Sequence, residues 1–311
     1  MPCPAGVVTG AVWIRNPRST WPVCCAAAVV GGLHEASAQS GIGPSDEKLI
    51  CGKGETGMSA SDSPEQGRYL YCIVRPGTTD DLDLRGIDDQ PISEVVEDGL
   101  GVLVSPSAVK RYRLSRQYIL GHELVIEQAM TRGTVLPIKF GTVAESEAAI
   151  REKVLQARGD DLHRLMIAMD GKVELGLKVI WNQERIYADI VARYADIRRL
   201  RDQLAGRPPN EAHYQRVRLG KMVEEALTDR RLEDADAIMA RLEPFATDTR
   251  RNDIYGEMMI LNAAFLVETA REPEFDVEIQ ALDNDMNDLM KFLYVGPLPP
   301  FNFVDLVISW S

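Results

Sequence analysis

KVELGLKVIW, residues 172–181, places Val173, Leu175, Leu177, Val179 and Trp181 on one side of an extended chain. Apolar residues at every second position are the pattern of a half-buried β-strand, whose side chains alternate between faces. From Gln183 the spacing changes. Ile186, Ile190, Tyr194, Ile197, Leu200 and Leu204 step by three or four, one stripe of an amphipathic helix that Gly206 and Pro208-Pro209 end. A second helix follows with Tyr214, Val217, Met222, Val223, Ala226 and Leu227, and a third runs from Leu232 to Leu242. Pro244 opens a weak strand through FATDTRRND, and MMILNAAFLVE (258–268) is the strongest buried strand in the chain. Phe275, Ile279, Leu282, Met286 and Leu289 return to helical spacing before KFLYV closes with one more strand. Strand, helices, strand, strand, helix, strand is the βαββαβ plan of a ferredoxin-like domain, expanded in its first crossover. That domain covers residues 159–311, with a variable helical insertion at about 182–245.

Upstream, RYLYCIV (68–74) is a strand closed by Pro76-Gly77, and ISEVVEDGLGVLVSP (92–106) folds back on Asp98-Gly99 as a hairpin. A helix starts at Ser115 and ends near Gly133. GTVLPIKFGTV (133–143) carries Pro137 inside it, which confines it to an edge or interrupted strand. A short helix with Ala149, Ile150, Val154 and Leu155 follows. Residues 68–158 thus form an α+β domain, and the fold class is α+β with two domains.

Residues 1–67 are Gly-, Ala-, Ser- and Pro-rich without sustained periodicity. They read as a disordered or mis-annotated extension, with Met58 an alternative start. The competing reading is a secretory signal, from Arg15 and Arg18 ahead of the apolar run Val23–Val30 and the small residues Ala36-Ser37-Ala38. That run is too short to span a bilayer.

A formal net charge of −12 argues against a phosphate-backbone binder and against anionic lipid surfaces. Cys3, Cys24, Cys25, Cys51 and Cys72 form no CxxC pair and are odd in number, so neither a zinc site nor a disulfide framework is expected. From residue 68 onward there is no GxGxxG or GxxxxGK[ST] loop for phosphates, and no GxSxG elbow. His122-Glu123 begins like HExxH, but Ile126 stands where the second His belongs, so His122 reads as a structural histidine. Glu274, Asp276, Glu278, Asp283 and Asp285 read as the solvated face of the 275–289 helix rather than an acid–base pair or a calcium loop. No cofactor and no enzyme activity are expected.

The unexplained stretch is YVGPLPPFNF (294–303). Pro-rich extended chain is pre-ordered and loses little entropy on docking. Pro297, Leu298, Pro299, Pro300, Phe301 and Phe303 are therefore candidates both for a clasp closing the second domain and for a partner-binding surface.

YLYCIV, VLPIKFGTV, GKVELGLKVIW, MMILNAAFLVE and YVGPLPPFNFVDL, in that order, resemble the gas vesicle protein GvpL/GvpF family over about residues 68–308. The resemblance implies two α+β domains, the second a modified ferredoxin-like fold with a variable insertion. It implies a cytoplasmic accessory or minor structural protein of gas vesicles, non-enzymatic, which binds the main shell protein and other vesicle proteins during assembly. It carries no catalytic residues over to this chain. The alternative function is a small-ligand regulatory or sensor module, on analogy with other ferredoxin-like domains.

Overall fold

A computed structural model describes residues 67–78, 80, 82–108, 111–208, 211–308 and 310, together with the backbone of residues 12–15. The fold is α+β, built on two sheets.

In the first sheet, β2 (Gly67–Val74) pairs antiparallel with β4 (Leu100–Ser107), and β4 with β3 (Ser93–Glu97). The β3–β4 turn is the expected Asp98-Gly99 pair. Both residues have positive φ (47° and 75°), the left-handed conformation a two-residue hairpin needs for its twist. Pro137 splits GTVLPIKFGTV into β5 (Leu136–Pro137) and β6 (Val143–Ala144), each lying briefly on the other side of β2. Helix α1 (Arg116–Met130) begins where the Ser115 side chain accepts from the Tyr118 N–H. It covers one face of this sheet through Val125, Ile126 and Ala129. Against the other face lie α2 (Glu147–Ile150), the π-helical turn Arg151–Gln156, and α3 (Gly159–Met169), which contributes Leu162, Met166 and Met169.

The second sheet has the order β1-β10-β7-β9-β8. β7 (Lys172–Trp181) lies at its centre, between β10 (Met290–Leu298) and β9 (Met259–Glu268), and β8 (Asp248–Arg251) is an edge. These pairings are antiparallel. The leader contributes β1 (Val12–Arg15), which lies parallel to β10; its other residues fall outside those described. Val173, Leu175, Leu177, Val179 and Trp181 face the helices α4 (Gln183–Arg193), α5 (Ala195–Leu204), α6 (His213–Leu242) and α7 (Glu272–Met286), forming the largest core.

Three elements depart from the spacing-based expectation. The 183–204 stripe is two helices broken at Tyr194, because both halves pack on the same core. The helices expected at 214–227 and 232–242 are one 30-residue helix, α6. β10 continues through Pro297 instead of stopping at Val295, with a register shift between Val295 and Leu298.

Candidate functional site

The YVGPLPPFNF stretch (294–303) sits where the two sheets meet. Tyr294, on β10, donates its hydroxyl to Asp276 of α7 at 2.8 Å, both buried. At Gly296 the chain runs so close to β7 that a Cβ would lie 2.5 Å from Leu175 Cδ2 and 3.3 Å from the Glu174 carbonyl oxygen. The Gly296-Pro297 bond is cis, and the chain then turns across the face of β7 opposite the helices.

There Glu174 receives it. The Asn302 backbone N–H donates to Oε2 at 2.7 Å, and Asn302 Nδ2 to Oε1 at 2.6 Å. Glu174 is only 1% exposed, and burial pushes its carboxyl up to about 7 against the pull of both donors. A carboxylate with one donor on each oxygen is a fixed socket for a turn of chain.

Beyond the turn, Val304 and Leu306 are buried in the same cluster as Leu70, Val102, Val104 and Leu162 of the first sheet and its helices. Three cations strap the exit: Lys139 Nζ to Asp305 at 2.8 Å, Arg158 Nη1 to the Val307 carbonyl at 3.0 Å, and Lys153 Nζ to the Trp310 carbonyl at 3.0 Å. All three contacts are solvent-exposed, so the straps add orientation more than energy. The apolar insertion dominates.

Of the six sequence-derived candidates, Leu298, Pro299 and Pro300 are buried, while Pro297, Phe301 and Phe303 keep part of their surface in solvent. Phe301 packs against the core under α1, and Phe303 against the core on the opposite face of the first sheet. The Arg250 guanidinium of β8 lies 6.0 Å from the centre of the Phe303 ring. The structure thus brings the candidates together as one turn in which Phe301 and Phe303 are half-buried.

Several buried polar groups elsewhere are paired within the fold, although Glu94 Oε1 and Glu123 Oε2 have no hydrogen-bond partner. His122 Nε2 lies 3.1 Å from the Ile138 carbonyl, which can only accept, so Nε2 carries the proton and Nδ1 accepts from the Tyr69 hydroxyl at 3.1 Å. Burial lowers His122 to about 4, keeping it neutral. Tyr71 similarly joins Ser105 Oγ at 2.9 Å and accepts from the Ile87 N–H at 2.9 Å. Glu123 and Glu127, one turn apart on α1, are buried; desolvation, then Glu127's charge, lifts Glu123 to about 7. Among the described residues no three His, Cys, Asp or Glu side chains converge as a metal set.

Periodicity missed the buried carboxylates. Asp276 and Asp283 were expected on a solvated face, yet they are 8% and 1% exposed. Glu174 was equally hidden, because an even position in an alternating strand reads as the wet side. GKGETG (52–57) has GxGxxG spacing and lies outside the described residues.

The family model described as "Gas vesicle synthesis protein GvpL/GvpF" matches residues 67–305, which include the first sheet, the second sheet apart from β1, and the clasp turn. The chain belongs to this family. Gas vesicle protein F of Dolichospermum flosaquae is 29% identical over 240 residues, 76% of this chain and 97% of that one. Gas vesicle protein F of a Streptomyces species (strain CB03234) is 31% identical over 241 residues, 76% of this chain and 99% of the relative. The crystal structure of GvpF from Anabaena sp. PCC7120 superposes with a TM-score of 0.68 at 27% identity, covering 78% of this chain and 99% of that one. The mixed α/β architecture of this GvpL/GvpF family member is therefore that of a solved relative, and its role is tied to gas vesicles.

Proposed function

We propose that this GvpL/GvpF family member is a non-catalytic assembly component or minor wall constituent that binds the main shell protein in the cytoplasm, with other vesicle proteins as further partners. The observation that carries this reading is the continuous family match through the clasp, in a family described as acting in gas vesicle synthesis. The shell subunit would engage the clasp turn, where Pro297, Phe301 and Phe303 offer partly exposed apolar surface on a pre-ordered backbone. A soluble acidic protein seated there would keep a hydrophobic subunit dispersed until it is incorporated. Among the described residues no helix is long and apolar enough to cross a membrane.

The same reading takes the second unit as a modified ferredoxin-like domain. The strand order β10-β7-β9-β8 and the sequence β7, helices, β8, β9, α7, β10 support it. The insertion at about 182–245 is then α4 to α6. We place the division between the units near residue 158; the packing of α3 on the first sheet argues for shifting it beyond Met169.

Co-expression with the main shell protein of the same organism tests the function. A soluble complex retaining the shell subunit is expected. Shell protein that stays insoluble and is never retained would overturn the proposal.

A further inference from the structure

The long helix α6 runs past its own core. Its last two turns pack on α7, where Arg241 pairs with Glu278 at 2.5 Å and Asp285 at 2.8 Å. Its first nine residues, 213–221, are exposed apart from the half-buried Leu219. Within that exposed start, Tyr214, Val217, Arg218 and Lys221 recur at i, i+3, i+4 and i+7, so they form one stripe pointing away from the core. Tyr214 is 83% and Val217 46% exposed.

This end of the molecule is also basic. Between residues 195 and 225 there are seven Arg or Lys against five Asp or Glu, a balance of +2 in a chain of net charge −12. The opposite sign sits on α7, whose outer stripe is Glu274, Val277, Ala281 and Asp285, with Val277 69% exposed. Glu274 is paired with Arg271 at 3.2 Å and Asp285 with Arg241 at 2.8 Å, but both acids are exposed, so those pairs hold them weakly.

The two stripes match in kind: an exposed apolar side chain flanked by charge, positive on one and negative on the other. They cannot meet within one chain. From Arg218 to Arg241, which holds α7, the helix rises about 35 Å at ~1.5 Å per residue. That distance is several screening lengths at physiological salt, about 8 Å each. We propose that the exposed start of α6 is an interaction surface for a second copy of this chain, which presents its α7 stripe in a head-to-tail contact. Such a heterologous contact leaves one stripe free at each end of the pair, so it builds rings or open chains rather than a closed two-fold dimer. The proposal is independent of shell binding at the clasp.

Sedimentation of the full chain over a concentration series tests it. Association is expected that weakens as salt rises, and Arg218→Glu/Lys221→Glu should weaken it about tenfold or more. Glu274→Lys/Asp285→Asn should do the same from the other side. The two variants mixed in equal amounts should recover association, since each then offers the other a complementary stripe. All four changes lie on exposed surface, and unchanged circular dichroism checks that the fold survives. A monomeric wild type at every concentration, association indifferent to these changes, or a mixture that stays apart would each overturn the proposal.

Discussion

Replacing Glu174 with Gln should change how stability depends on pH, by an amount that follows from its burial. Its folded carboxyl titrates near 7 against an ordinary 4.5, raised first by desolvation and only partly opposed by Asn302. Between those two values the folded chain holds a proton that the unfolded chain has released. Stability therefore falls as pH rises through this window, and the contribution is fully present only below about 4.5. A displacement of this size corresponds to ~3 kcal/mol, at about 1.4 kcal/mol per pH unit. With 1% exposure, solvent does little to screen it. Gln cannot ionise, so the variant lacks this slope. Its amide keeps one acceptor for Asn302 but turns a donor toward the other Asn302 donor, a penalty nearly constant with pH. Urea unfolding of both proteins at pH 4.5 and pH 8 gives the difference of differences, in which Glu123, Glu127 and Glu94 cancel. Wild type should lose ~3 kcal/mol relative to the variant across that interval. A shift below about 1 kcal/mol would show that Glu174 is not the desolvated group the clasp requires.

Leu306→Ala should cost about 2–5 kcal/mol, seen as a lower urea midpoint, because Leu306 is 1% exposed inside the first sheet's core despite lying near the chain end. Gly296→Ala should destabilise by about 1–3 kcal/mol in the same assay, since the new methyl meets Leu175 and the β7 backbone. His122, held near 4, should stay neutral in the Nε2–H form at pH 6 by nitrogen NMR; its depressed value means stability present above about 6.5 and lost as pH falls toward 4.

Much of this arrangement is legible from residue order alone. β7 is delimited to the residue by KVELGLKVIW, because a buried face forces strict alternation. Asp98-Gly99 locates its hairpin because few residue pairs tolerate two positive φ values. Spacing fails where one core is shared. The kink at Tyr194 leaves the apolar stripe unbroken, and α6 reads as two helices because the polar run Thr228–Arg231 interrupts its apolar spacing. The clasp was visible as an odd Pro-rich ending, but not its socket. Glu174 and Asn302 are 128 residues apart, and nothing local to either announces that the tail crosses the opposite face of β7. Pairings of that range are set by tertiary packing, beyond what periodicity encodes.

The most direct measurement is retention of the main shell protein by the tagged full chain, with Phe301→Ala/Phe303→Ala and Leu306→Ala run in parallel. Both variants loosen the clasp, but only the first removes the half-buried Phe301 and Phe303 rings. Shell binding at the turn predicts retention by wild type and by folded Leu306→Ala, and loss from the double-Phe variant at matched melting temperature. Retention by the double-Phe variant, or by none of the three, would contradict it.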